Sequence, residues 1–234
     1  FERGEVAEGA EILGGEPRLQ LLALREMVSS RRAAGVAAQY LGSLSLLPHP
    51  AAAAEVALGR EAASLLHGAP ALAAAAAEAA EAIQAALRSA WPRAEVQPYG
   101  SGALGLGASG SDVDLCALLP GLPTPLSKQG RAALAAPLRR AAAALRRCGA
   151  VSDLRAAPAA RTPSLAFSLQ LRGGARRVDL TLNNVAGLAN THVLAQLLAR
   201  VPHLRPAAAA LRSWARSKGL CGGPRVPSPC ERLL

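Results

Sequence analysis

Aromatic side chains are nearly missing from this sequence: two Trp, two Tyr and two Phe make up 3% of 234 residues. A surface that binds single-stranded nucleic acid by stacking bases on rings needs more of them, so that mode of binding is disfavoured. Cysteine is sparse as well. Cys116, Cys148, Cys221 and Cys230 form no C-x-x-C pair and no Cys/His zinc spacing. Such scattered thiols fit a reducing, intracellular setting better than a disulfide framework. No apolar run reaches about 18 residues without a charge, so no membrane span is expected. Residues 18–47 mix Arg, Ser and apolar positions as a transit peptide does, but Glu2, Glu5, Glu8, Glu11 and Glu16 precede them. A cytoplasmic location is the expectation, with nucleus and organelle left open. Acidic residues are the minority charge: 16 Asp and Glu face 26 Lys and Arg, a net charge of +10. That balance favours a polyanionic partner such as nucleic acid.

Alanine and leucine at helical spacing are present in quantity. Leu19, Leu22, Leu24 and Met27 suggest one helix, and Val36, Tyr40 and Leu41 a second. Residues 51–66 and 71–90 read as alanine-rich helices parted by Gly68-Ala69-Pro70, the later one burying Leu72, Ile83 and Leu87. After Trp91-Pro92, residues 95–99 form a short strand. Residues 128–148 read as one basic helix, with Leu134, Leu138 and Leu145 inward and Arg131, Arg139, Arg140, Arg146 and Arg147 outward. That arginine face suits either RNA phosphates or plain solvent. The expected layout is a helical N-terminal extension over 1–70, a catalytic domain over 71–184, the start of a helical domain over 185–221 and a disordered tail over 222–234. The sequence opens at Phe1 without Met and breaks off at Leu234, so a fragment of a longer protein is expected.

The chain is organised around Gln97 to Leu115. Tyr99-Gly100-Ser101 enters a loop holding Gly102, Gly105, Gly107 and Gly110, and Asp112-Val113-Asp114 follows within a short apolar strand. Residues two apart on a strand share a face, so both carboxylates point the same way, with Cα atoms ~6.6 Å apart. Two such charges repel by ~2.5 kcal/mol at an effective dielectric near 20. A hard divalent cation offsets that repulsion and brings phosphate oxygens with it. The glycines let the backbone approach a phosphate, and the Ser101 hydroxyl is a donor to it.

A hairpin adds a third acid. Residues 164–171 alternate polar and apolar, Gly173-Gly174 turns the chain, and residues 177–182 alternate again. Val178, Leu180 and Leu182 share one face; Asp179, Thr181 and Asn183 share the other. Gly187-Leu188-Ala189-Asn190-Thr191 opens a helix, with Asn190 or Thr191 expected as its cap. Residues 207–218 form another, on which Arg212 and Arg216 lie four apart on one face suited to clamp a triphosphate.

Taken together, Tyr99-Gly100-Ser101, Ser111-Asp112-Val113-Asp114-Leu115-Cys116, Ala160-Arg161-Thr162-Pro163, Val178-Asp179-Leu180 to Asn183-Asn184, Gly187 to Thr191 and Leu211 to Arg216 resemble the template-independent RNA nucleotidyltransferases. These are the terminal uridylyltransferases and cytoplasmic-type poly(A) polymerases of the DNA polymerase β-like superfamily, and the resemblance covers about residues 80–221. It implies an α+β fold, a small mixed sheet flanked by helices and followed by a partial helical central domain. It implies Asp112, Asp114 and Asp179 as the carboxylates holding two Mg²⁺ (or Mn²⁺) ions, and addition of UMP or AMP from UTP or ATP to an RNA 3′ end. By the family pattern Gly100, Ser101 and Ser111 line the triphosphate, Asn190 and Thr191 reach the ribose and base, and Tyr99 lies near the base. Arg212 and Arg216 match positions where relatives usually carry lysines on the β- and γ-phosphates, a change of geometry at constant charge. Ala166 sits where many relatives have a lysine. Beyond Trp214 the family's base-selecting segment is not matched. A catalytically silent scaffold of this fold, or a transferase acting on a non-RNA acceptor, are the alternatives, and loss of activity through truncation is left open.

Overall fold

Residues 66–107, 110–201 and 204–218 are described by a computed structural model of the chain. The helices expected before residue 66, the tail over 222–234, and Cys221 and Cys230 lie outside the described residues. The elements run α1 (Ala69–Arg88), β1 (Glu95–Pro98), α2 (Gly100–Ala103), β2 (Val113–Leu118), α3 (Lys128–Ala133), α4 (Ala135–Arg146), β3 (Val151–Ala157), β4 (Ser164–Leu171), β5 (Gly174–Leu182), α5 (Val185–Arg200) and α6 (Leu204–Ser217). The five strands form one sheet in the order β1-β2-β5-β4-β3. β2 and β5 are parallel and the other neighbours antiparallel, which makes the mixed sheet that the resemblance implies.

The period-two pattern assigns the faces. Val113, Leu115, Ala117, Leu165, Phe167, Leu169, Val178, Leu180 and Leu182 point into one core with α1 and α4. α1 carries Pro70 in its first turn, where the missing N–H costs nothing, and buries Leu72, Ala76, Ala79, Ile83 and Leu87 along one stripe. Its polar positions tie down strands: Gln84 accepts the Val96 N–H of edge strand β1 at 2.9 Å, and Glu78 accepts the Arg172 N–H at 2.9 Å. The opposite face carries Asp114, Cys116, Asp179 and Thr181, and its β2 end is covered by the small cluster of Cys116, Leu118, Val185, Leu188 and Ala189.

Several details differ from the sequence expectation. The basic helix is two helices, α3 and α4, joined at Leu134. Pro137 is the cause, because a continuous helix would lose its N–H bond to Ala133 and drive its ring against that carbonyl. The hairpin turn is Arg172-Gly173, with Leu171 paired to Gly174. β3 runs on to Ala157 through a bulge near Asp153, which adopts φ 52°. α5 starts at Val185 and is capped by Asn184, whose side chain accepts the Gly187 N–H at 3.1 Å; Asn190 and Thr191 lie inside the helix.

Candidate active site

Parallel pairing of β2 with β5 places Val113 beside Val178 and Asp114 directly beside Asp179. Neighbouring strands lie about 4.8 Å apart, so two residues far apart in sequence present carboxylates side by side on the face turned away from α1 and α4. Both are half-buried. Burial pushes Asp114 up to about 6, helped by the charges of Asp179 and Asp112 and opposed by Arg212. Asp179 is pushed up by burial and by Asp112, while a hydrogen bond with Ser164 draws it down. The Asp179 Oδ1 is buried and makes no hydrogen bond within the protein.

Asp112 stands at the rim. Its Oδ1 lies 3.7 Å from the Arg177 Nε, with 54% of the Asp112 side chain and 73% of the Arg177 side chain exposed. Among the described residues no three His, Cys, Asp or Glu side chains lie close enough together to hold a metal ion as they stand. Asp112 is drawn toward Arg177, yet its charge still acts on both Asp114 and Asp179.

The residues present fit a divalent cation. An orphaned carboxylate oxygen and two mutually repelling acids are what such an ion satisfies. Above them the backbone of Gly100 comes so close that a Cβ there would lie 2.7 Å from the Asp114 Oδ2, and its φ of +71° is one that L side chains rarely adopt.

The loop is fastened at both ends of α2. The Thr191 Oγ1 accepts the Gly100 N–H at 2.9 Å and donates to the Gly187 carbonyl at 2.9 Å. Arg205 donates to the Leu104 carbonyl. Leu72 of α1 lies under Gly102 and Gly107, where a Cβ on Gly107 would meet its Cδ2. Thr191 thus spends its hydroxyl on positioning the loop, and the Gly100 N–H is already bonded. Ser101 is half-buried on α2, Ser111 half-buried ahead of Asp112, and Asn190 exposed on α5.

Tyr99 is turned inward. Its hydroxyl bonds Thr181, its ring packs against Gly187, and burial pushes it up to about 12. Cys116 beneath it is fully buried and is likewise pushed up to about 12 by burial. Arg212 on α6 is close enough for its charge to act on Asp114; the Arg216 side chain lies outside the described ones. Ser164, Arg177 and Arg205 escaped the sequence reading. Ser164 and Arg177 left a signal, since the alternation of β4 and β5 puts both on the face of Asp179, whereas Arg205 left none. The arginine helix is placed elsewhere: α4 packs on the other face, and Arg140 bonds the Ala90 carbonyl at 2.7 Å and lies 4.8 Å over the Trp91 ring.

Acids on adjacent strands beneath a glycine loop define the palm of a polymerase β-like nucleotidyltransferase. The profile of the poly(A) RNA polymerase, mitochondrial-like, central palm domain matches residues 69–205, and the chain belongs to that family. No curated protein matches it. Among solved structures, mtPAP in complex with ATPγS is 26% identical with a TM-score of 0.53, over 64% of this chain and 33% of that one. mtPAP in complex with GTP is 27% identical with a TM-score of 0.52, over 62% and 32%. The GLD-2–GLD-3 non-canonical poly(A) polymerase complex, 19% identical with a TM-score of 0.59 over 72% and 53%, shows the fold. The chain spans a third to about half the length of these structures.

Proposed function

We propose that this palm belongs to an RNA 3′-terminal nucleotidyltransferase, adding AMP or UMP from the triphosphate with Mg²⁺ or Mn²⁺ at Asp112, Asp114 and Asp179. The observation that carries the reading is the register pair Asp114–Asp179 with its unpartnered Oδ1. The mtPAP structures in complex with ATPγS and GTP agree with a triphosphate at such a palm. Divalent ions bound there supply Lewis-acid stabilisation of phosphoryl charge and make a 3′-hydroxyl easier to deprotonate. The chain's own residues do the positioning. Ser164 orients Asp179 through its hydrogen bond, and Gly100 leaves room above Asp114. The Ser101 and Ser111 hydroxyls are donors for phosphate oxygens, and Arg212 brings positive charge to the same side. Thr191 and Arg205 hold the loop in register with α5 and α6.

Primer extension on an RNA oligonucleotide, with each triphosphate supplied separately, tests the reading. Transfer that requires Mg²⁺ or Mn²⁺ and disappears in Asp114→Asn and Asp179→Asn is expected. Transfer that survives in both variants, or none with any triphosphate in the wild type, contradicts it.

A further inference from the structure

We propose that the open face of β5, β4 and β3 is the track for the acceptor strand, a single-stranded polyanion gripped by Arg177 and Arg155. The inference rests on the transferase reading and adds where the acceptor lies. Register places residues in rows across the sheet. Asp114 pairs with Asp179, Asp179 with Ala166, and Ala166 with Arg155, so one row leads from the acids to an exposed arginine. The next row holds Arg177, Ser168 and Ser152, with Asp112 at its end against Arg177. From strand spacing, the Arg155 Cα lies about 9.6 Å from that of Asp179, and the Arg177 Cα about 6.6 Å away along β5.

Between the arginines the floor is made of small side chains: Ala166, Ser164, Ser168 and Ser152. Among the described residues the helices packed on β3 and β4 are α1 and α4, both on the other face. A floor this shallow and polar has nothing to anchor a protein's apolar side chains. Its two guanidinium groups suit backbone phosphates, and with no aromatic ring among the described residues of this face the track would be indifferent to base identity. The acids nearby are Asp112, Asp114, Asp179 and, at the bulge, Asp153.

The probe is a fluorescein-labelled oligoadenylate, titrated at constant Mg²⁺ without triphosphate over a range of KCl. Arg155→Ala with Arg177→Ala should weaken binding several-fold and flatten the slope of log K against log salt by about 1.4, two single-strand phosphate contacts at ~0.7 each. Lysine at both positions should retain most of the slope. The back-face variant Arg139→Ala, Arg146→Ala, Arg147→Ala should leave it unchanged. A back-face loss equal to or greater than the front-face loss, an unaltered slope in the front-face variant, or no saturable binding by the wild type would overturn the track. Because binding is read without triphosphate, a protein that grips the strand but transfers nothing would retain the track and refute the transferase.

Discussion

The Thr191 hydroxyl accepts the Gly100 N–H across 91 residues of sequence, at 2.9 Å. This bond joins α5 to the loop that arches over Asp114. Thr191→Val should leave a half-buried N–H without its acceptor and cost about 1–2 kcal/mol. For a chain of this size that lowers the melting temperature by roughly 2–8 °C. Thr191→Ser should restore most of it. Thermal denaturation of the two variants checks this, and a valine variant as stable as wild type would show that the loop is held by other contacts.

Asn183 fastens the end of β5 to the loop that follows β2. Fully buried at φ 49°, it accepts the Leu119 N–H at 2.7 Å and donates to the Leu119, Leu122 and Pro123 carbonyls. Asn183→Ala strands several of these groups and puts a Cβ-only side chain in a left-handed conformation. A loss of about 3 kcal/mol is expected. Chemical denaturation reads it directly.

Gly100→Ala separates crowding at the acids from global stability. The new methyl would sit against the Asp114 Oδ2. Divalent-ion-dependent triphosphate binding should fall by tenfold or more while the protein stays folded. Unchanged binding in a calorimetric titration would mean that the loop stands farther from the acids than described.

The acids also set a pH dependence. In the folded protein Asp114 lies near 6 against an ordinary 3.8. Between those values the folded state holds a proton that the unfolded state has released, so this group favours folding less as the pH rises through that window. Metal-free protein should therefore gain melting temperature when taken from pH 7 toward pH 5, on top of whatever other groups contribute. Asp114→Asn should be more stable at pH 7 and show a flatter profile, and saturating Mg²⁺ should flatten the wild-type profile too. An identical slope in the variant would remove Asp114 from the explanation.

Much of this site was legible because strands write their faces into alternate residues. Period two alone puts Asp112 and Asp114 on one face of their strand and sets Asp179 opposite Val178 and Leu180 on its own, and Leu72, Ile83, Leu87, Leu134, Leu138 and Leu145, read as core, are buried. Pairing was not legible: nothing local to β2 says that β5 lies beside it in parallel, and that register makes Asp114 and Asp179 neighbours. Contacts made by a long side chain to a distant backbone carbonyl, such as Arg205 on Leu104 and Arg140 on Ala90, leave no periodic trace. The helix cap was misread for a different reason. Asn184 stands three residues before Gly187 and suits a cap, but the glycine drew the start of α5 too far along the chain. Leu194 and Leu211 are exposed at 46% and 63%, whereas Leu198 is buried, a difference that helical spacing alone does not assign.

The central claim is that the Asp114–Asp179 pair is a divalent-cation site for a triphosphate. Titrating Mn²⁺ into the protein with ATP or UTP present, and following free Mn²⁺ by electron paramagnetic resonance, tests it without relying on turnover. Wild type should bind the ion more tightly than triphosphate alone does, and Asp179→Asn should lose that excess by at least tenfold. Equal Mn²⁺ binding by wild type and Asp179→Asn would contradict the account.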